Sequence, residues 1–197
     1  VLRAMHRPAI EIYSGELAGI TDSCLADLKK VFATNGRTYI YISNGHGAWE
    51  AALTNTLSRG DRVLVLQSGR FAVGWGEMAS QLGIEVEILE QDERKAVDPA
   101  AVEAQLKAPD GKDFKAVLVV QIDTASGVVN DVPAIRKAID AAGSDALYMV
   151  DTIASLGTMP FNMDAWGVDV AVTGSQKGLM CPPGLSFIAA SPKADEA

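Results

Sequence analysis

Apolar, β-branched runs alternate with amphipathic stretches along most of this chain. That alternation constrains the fold more than any other feature. The runs are "TYIYIS" (38–43), "RVLVLQ" (62–67), "EVEILE" (85–90), "AVLVVQI" (116–122), "ALYMVD" (146–151), "VDVAVTG" (168–174) and "LSFIAAS" (185–191). Between them the spacing predicts helices over 47–58, 71–82, 98–108 and 132–143. In the first helix Trp49, Leu53 and Leu57 recur every four residues on one face. Asp98 and Pro99 suit an N-cap and first helical position, and Gly83 and Gly143 suit helix ends. Strands joined to helices by short connections favour an α/β fold of three layers, with a mostly parallel sheet of seven strands covered on both faces. Residues 1–20 carry Gly, Pro and Ser and read as an N-terminal arm, with 21–197 as one large domain.

Charge and cysteine usage remove several classes of function. Lys and Arg number 17 against 25 Asp and Glu, a net charge of −8, which argues against non-specific nucleic-acid binding. No apolar run approaches the roughly 20 residues that cross a bilayer. The opening "VLRAMHRPAI" has no apolar signal-peptide core, so a cytoplasmic protein is expected. Cys24 and Cys181 stand too far apart for a CxxC pair and read as reduced thiols. Two histidines, His6 and His46, are too few for a His-rich metal site, and no metal is expected.

In parallel α/β sheets ligands gather beyond the carboxyl ends of strands, so the residues just after each run carry the functional information. After the first run comes "SNGHGAWEAA" (43–52). There Asn44, Gly45 and His46 precede a helix whose free amides can attract a phosphate. The same residues also suit an ordinary Asn N-cap with a glycine turn. Phe71, after the second run, suits either a stacking ring or core packing. Thr124, in "DTASG", can bond a ligand or cap a turn. Asp151 ends an apolar strand; a shielded carboxylate there needs a partner, in the following "TIASLG" or on a ligand. Lys177 follows "VDVAVTGSQ" among small residues and prolines. Held against apolar walls, its pKa would fall toward neutrality and its amine would attack aldehydes; it also suits a snorkelling surface lysine. Taken together, these groups are what pyridoxal phosphate requires: a phosphate cradle, a stacking ring, an acid, a hydroxyl and a lysine.

The segments "SNGHGAWEAALTNTL", "SGRFAVGWGEMASQLG", "MVDTIASLGTMPFNMDAWGVDVAVTGSQKG" and "PPGLSFIAASPKA" resemble the class V, fold-type I pyridoxal-phosphate aminotransferases. The likeness is strongest to the serine–glyoxylate and alanine–glyoxylate branch. It spans nearly the whole chain, and 151–184 is its most specific part. The resemblance implies that Lys177 forms the Schiff base and that Asp151 pairs with the pyridinium nitrogen. By the same resemblance Phe71 and Ile153 cover the two faces of the ring. Gly45, His46 and Gln176 would serve the phosphate, Asn44 would be a further cofactor-binding residue, and Thr124 would lie near the phenolic oxygen. The "PPG" would stiffen the backbone behind Lys177. The reaction implied is ping-pong transfer of an amino group from serine or alanine to glyoxylate or pyruvate, in a homodimer.

The resemblance also implies that a C-terminal small domain, with the arginine that binds the substrate carboxylate, lies outside 1–197. None of the eight arginines present matches it. The chain is therefore expected to be a fragment, incomplete as an enzyme by itself. Three other readings stay open: a cysteine-desulfurase-like lyase, which Phe71 disfavours because that branch usually carries His there; a transaminase using another amine; and a truncated, non-catalytic chain.

Overall fold

A computed structural model describes residues 3, 6, 8–92 and 94–197; positions 1, 2, 4, 5 and 7 of the expected arm, and position 93, lie outside the described residues. The strands are β1 (Arg37–Ile42), β2 (Arg62–Leu66), β3 (Glu85–Leu89), β4 (Phe114–Val120), β5 (Ile122–Asp123), β6 (Val128–Val129), β7 (Leu147–Asp151), β8 (Val170–Gly174) and β9 (Leu185–Ala190). The helices are α1 (Glu16–Phe32), α2 (Gly45–Thr56), α3 (Arg70–Gln81), α4 (Pro99–Lys107), α5 (Val132–Ala141) and α6 (Pro192–Asp195). Seven strands form one sheet in the order β1-β9-β8-β7-β4-β2-β3, and β5 pairs with β6 in a small hairpin. Strand β9 runs antiparallel to both β8 and β1, and every other pair in the large sheet is parallel. All strands of the large sheet but β9 therefore point the same way. The expected mostly parallel, seven-stranded sheet is found.

Alternation along the strands sorts the core into two layers. Leu64, Leu66, Val117, Val119, Tyr148 and Val150 face one way, with Phe32, Val102, Leu106, Ile135 and Ile139 from α1, α4 and α5. Val63, Val65, Ala116, Leu118, Leu147 and Met149 face the other, with Trp49, Leu53, Trp75 and Ala79 from α2 and α3. Both faces of β2, β4 and β7 are thus covered, which explains why those runs are apolar throughout. Helix starts follow side-chain chemistry: Asn44, Asp98 and Asp131 accept amides of Gly47, Ala100 and Ala134. Gly83 and Gly143 follow helix ends at φ 86° and 65°, as a left-handed residue there requires.

Helix α1 was not legible in the sequence. It runs across residue 20, the expected boundary between arm and domain. Only Leu28 and Phe32 of it are buried, so its apolar stripe is short. Helix α2 begins two residues earlier than the spacing predicts, and Leu57 is its C-cap. Among the described residues no helix is long and apolar enough to cross a membrane.

Candidate active site

The carboxyl ends of β1, β2, β4, β7 and β8 lie along one edge of the sheet, and a cavity of about 260 Å³ opens there. Asn44, Gly45, His46, Phe71, Thr124, Asp151, Ile153, Gln176 and Lys177 all line it. Residues spread over more than 130 positions are thus brought together by five strand ends. The lining also includes Trp49, Val120, Ile122 and Ala154, which the strand-end reading did not single out.

Asp151 ends β7 and is 3% exposed. Its Oδ1 accepts the Ile153 amide at 2.6 Å, and its Oδ2 accepts the Trp49 indole Nε1–H at 2.8 Å. It therefore caps the following turn and faces the cavity as well. Burial pushes its pKa up from 3.8 to about 7; the Ile153 and Trp49 hydrogen bonds pull it down, the Asp123 carboxylate pushes it up, and the Lys177 charge pulls it down. A carboxyl balanced this way gains strongly from a cationic partner placed beside it.

At the start of α2, Asn44 takes the Gly47 amide on its side chain at 3.2 Å and the Ala48 amide on its carbonyl at 3.1 Å. The amides of Gly45 and His46 carry no hydrogen bond among the described residues. They are the orphan donors of a helix start, at the cavity wall. A Cβ on Gly45 would collide with Cδ1 of Ile153, so glycine lets the helix backbone approach that side chain.

Phe71 and Thr124 owe their places to one carboxylate. Asp123 is fully buried, and its Oδ2 accepts the amides of Phe71 at 2.9 Å and Ala72 at 3.1 Å. Its Oδ1 accepts the Ala125 amide at 3.1 Å. The start of α3 and the turn after β5 are thereby fastened together. Sequence reasoning missed Asp123 as a fastener. Phe71 is half-buried, packs on the core and also lines the cavity.

Lys177 corrects an expectation. It lines the cavity but is exposed, in the turn after β8, rather than held against apolar walls. Gln176 and Thr124 are exposed too. Its side chain is open to solvent, so the apolar burial expected for Lys177 is not found. What fixes the turn is backbone packing: a Cβ on Gly178 would collide with the Leu156 carbonyl oxygen and lie 2.9 Å from Thr158 Cγ2. The loop is also tied by Ser175, whose hydroxyl donates to the Pro182 carbonyl at 2.6 Å and whose amide donates to Leu185 at 3.0 Å. Small residues around Lys177 thus serve close backbone contact. We expect Gly178→Ala to lower stability by about 1–3 kcal/mol, as overpacking does, and to displace Lys177. Urea denaturation and the reactivity of Lys177 toward an aldehyde probe check both effects.

A sequence model of the family described as aminotransferase class-V matches residues 3–197. The chain is 44% identical over 195 residues to a serine–glyoxylate aminotransferase of Methylorubrum extorquens, covering 98% of this chain and 48% of that protein. It is 42% identical to an L-aspartate–glyoxylate aminotransferase of Paracoccus denitrificans, covering 99% and 50%. Among solved structures, an aspartate aminotransferase of subgroup IV from Thermus thermophilus superposes with a TM-score of 0.91 at 33% identity, covering 99% of this chain and 54% of that one. The chain spans about half the length of the curated relatives it matches.

Proposed function

Because this chain belongs to the class-V aminotransferase family, we propose that it holds pyridoxal 5′-phosphate in the strand-end cavity and moves an amino group from serine or alanine to glyoxylate or pyruvate. The observation that carries the reading is the convergence of Asp151, Lys177 and the unpartnered α2 amides on one cavity. The residues fit the group by their chemistry. Asp151 offers a buried carboxylate for a protonated ring nitrogen, and Phe71 and Ile153 offer apolar walls for a flat ring. The Gly45 and His46 amides, with Asn44 and Gln176 nearby, suit the phosphate. Thr124 offers a hydroxyl for the phenolic oxygen. Bound there, the cofactor would supply an aldehyde for the substrate amine and a ring able to accept electrons from the α-carbon.

The chain's own groups do the remaining work. Asp151 holds a proton on the ring nitrogen by charge, and its burial strengthens that pairing. Lys177 Nζ would take the proton from the substrate α-carbon and deliver it to the former aldehyde carbon, two bonds away across the transferred nitrogen. Its exposed place in the turn after β8 gives it room to move between those positions. The free amides at the start of α2 would hold the phosphate of the cofactor and so help to orient it before substrate arrives. Ping-pong kinetics follow, because the amino group leaves one substrate before the second binds.

The proposal includes a cytoplasmic homodimer. Ile42, 94% exposed at the end of β1, and Met180, 83% exposed three residues past Lys177, supply apolar surface suited to a second subunit. The relatives at 42–44% identity are glyoxylate aminotransferases, which supports amino transfer over a lyase reaction.

The test is an absorption spectrum of the purified chain with added pyridoxal phosphate, before and after L-serine. We expect a band near the visible edge that shifts with serine and is lost in Lys177→Ala. A band that no amino acid moves would leave cofactor binding standing and sink amino transfer by this chain. No band would sink both.

A further inference from the structure

We propose that Trp49 is a positioning residue for Asp151: its indole N–H holds the carboxylate in one orientation and favours its charged form. The inference rests on the reading of Asp151 as partner to a protonated nitrogen, although the contact itself belongs to this chain alone.

Trp49 lies in the first turns of α2 and is 2% exposed. A buried indole N–H is a donor only and needs an acceptor. Here the acceptor is Asp151 Oδ2 at 2.8 Å, 102 residues away in sequence. The indole cannot drift from that position. It stacks on Trp75 at 5.9 Å and 15°, and it meets the edges of His46 at 4.8 Å and Phe71 at 6.3 Å. One ring therefore touches His46, Phe71 and Asp151, three of the groups that line the cavity. The Ile153 amide occupies Oδ1. With Oδ2 held by the indole, the carboxylate cannot rotate, and its remaining lone pairs face a fixed direction.

The chemistry has a sign. A donor-only group stabilises the ionised carboxylate and cannot accept from the protonated one. The other charged groups facing Asp151 are Asp123 from β5, which opposes ionisation, and Lys177 from the turn after β8, which favours it. His46, on α2, contacts Trp49. Helix α2 also carries the free amides of Gly45 and His46, so one rigid element would set both the anion site and the orientation of the acid.

The experiment compares this chain with Trp49→Phe, which keeps a ring and removes the N–H. The Asp151 carboxyl is titrated by carbon-13 NMR, its resonance assigned by its loss in Asp151→Asn. We expect its midpoint to rise by about one unit in Trp49→Phe, the size of one hydrogen bond to a charged group. Far-UV circular dichroism should stay unchanged. An unmoved or lowered midpoint in a folded variant overturns the proposal. If Trp49→Phe does not fold, the wild-type chain decides. The Trp49 indole N–H resonance should then titrate with the same midpoint as the Asp151 carboxyl and stay flat in Asp151→Asn; independent behaviour overturns the proposal. A second readout is affinity for pyridoxal phosphate, expected to fall about fivefold at pH 7 in Trp49→Phe, as the ionised fraction of Asp151 does when its midpoint rises by one unit, and to recover toward pH 9. An equal loss at both pH values would mean a packing role and overturn it. A wild-type chain that takes up no pyridoxal phosphate would sink the functional reading, while the two titrations would still test Trp49.

Discussion

Replacing Lys177 by alanine is expected to lower the rate of amino transfer from L-serine to glyoxylate by at least about a thousandfold, the middle of the range for losing a positioned general base. The loss should be larger than for any other cavity residue, because one amine serves two purposes. It captures the aldehyde and it carries the α-proton, and neither Gln176 nor Thr124 has a basic nitrogen to substitute. Lys177→Arg should be nearly as inactive, since a guanidinium keeps its proton and cannot act as nucleophile or base. A small primary amine added to Lys177→Ala should restore part of the rate. The turn that carries Lys177 is held by Gly178 and Ser175, so the alanine variant should keep its fold. Release of the keto acid measures the rate, and unchanged turnover in Lys177→Ala would remove the lysine from the mechanism.

The sheet and part of the cavity lining were legible because each followed from a local signal, while Ile153 and Gln176 entered only through the family resemblance. Runs such as "VLVL" at 63–66 are apolar on both faces only when helices cover both, and that is where the two core layers meet. Ligand groups collect at strand ends, so inspection of the residues after five strands found Asn44, Phe71, Thr124, Asp151 and Lys177. The remainder depends on partners distant in sequence. The spacing places Trp49 on one helical face with Leu53, and both pack in the core. Its second role lies in one N–H that reaches across 102 residues. A usable signal existed: a shielded Asp needs donors, and a buried Trp needs an acceptor. Asp123 was hidden for the same reason, since its amide partners at 71 and 72 are remote. The exposure of Lys177 could not be judged from its small neighbours. Those residues serve contact between backbones, not burial of the amine.

Asp151→Asn is expected to stabilise the cofactor-free chain at pH 8 while slowing amino transfer sharply. The folded chain holds the Asp151 proton up to a pKa of about 7, whereas the ordinary value is 3.8. Between those values the folded state binds the proton and the unfolded state does not. A raised carboxyl pKa thus favours folding below about pH 4, and that contribution is lost as pH rises through 7. Three units correspond to a loss on the order of 4 kcal/mol by pH 8. Asparagine carries no charge and escapes it. Its single amide oxygen can satisfy the Ile153 amide or the Trp49 indole but not both, which returns about 1 kcal/mol. Urea midpoints should therefore place Asp151→Asn close to wild type at pH 4 and about 2–3 kcal/mol above it at pH 8. Equal stability at pH 8 would mean that the carboxylate is not under strain in the folded chain. The neutral amide cannot hold a proton on a ring nitrogen by charge, so amino transfer should fall by at least about a hundredfold. The two effects have one cause. A carboxylate buried beside Asp123 without a full counter-charge destabilises the chain when the cavity holds no cation. That same unmet charge is what a protonated nitrogen placed beside Asp151 would satisfy.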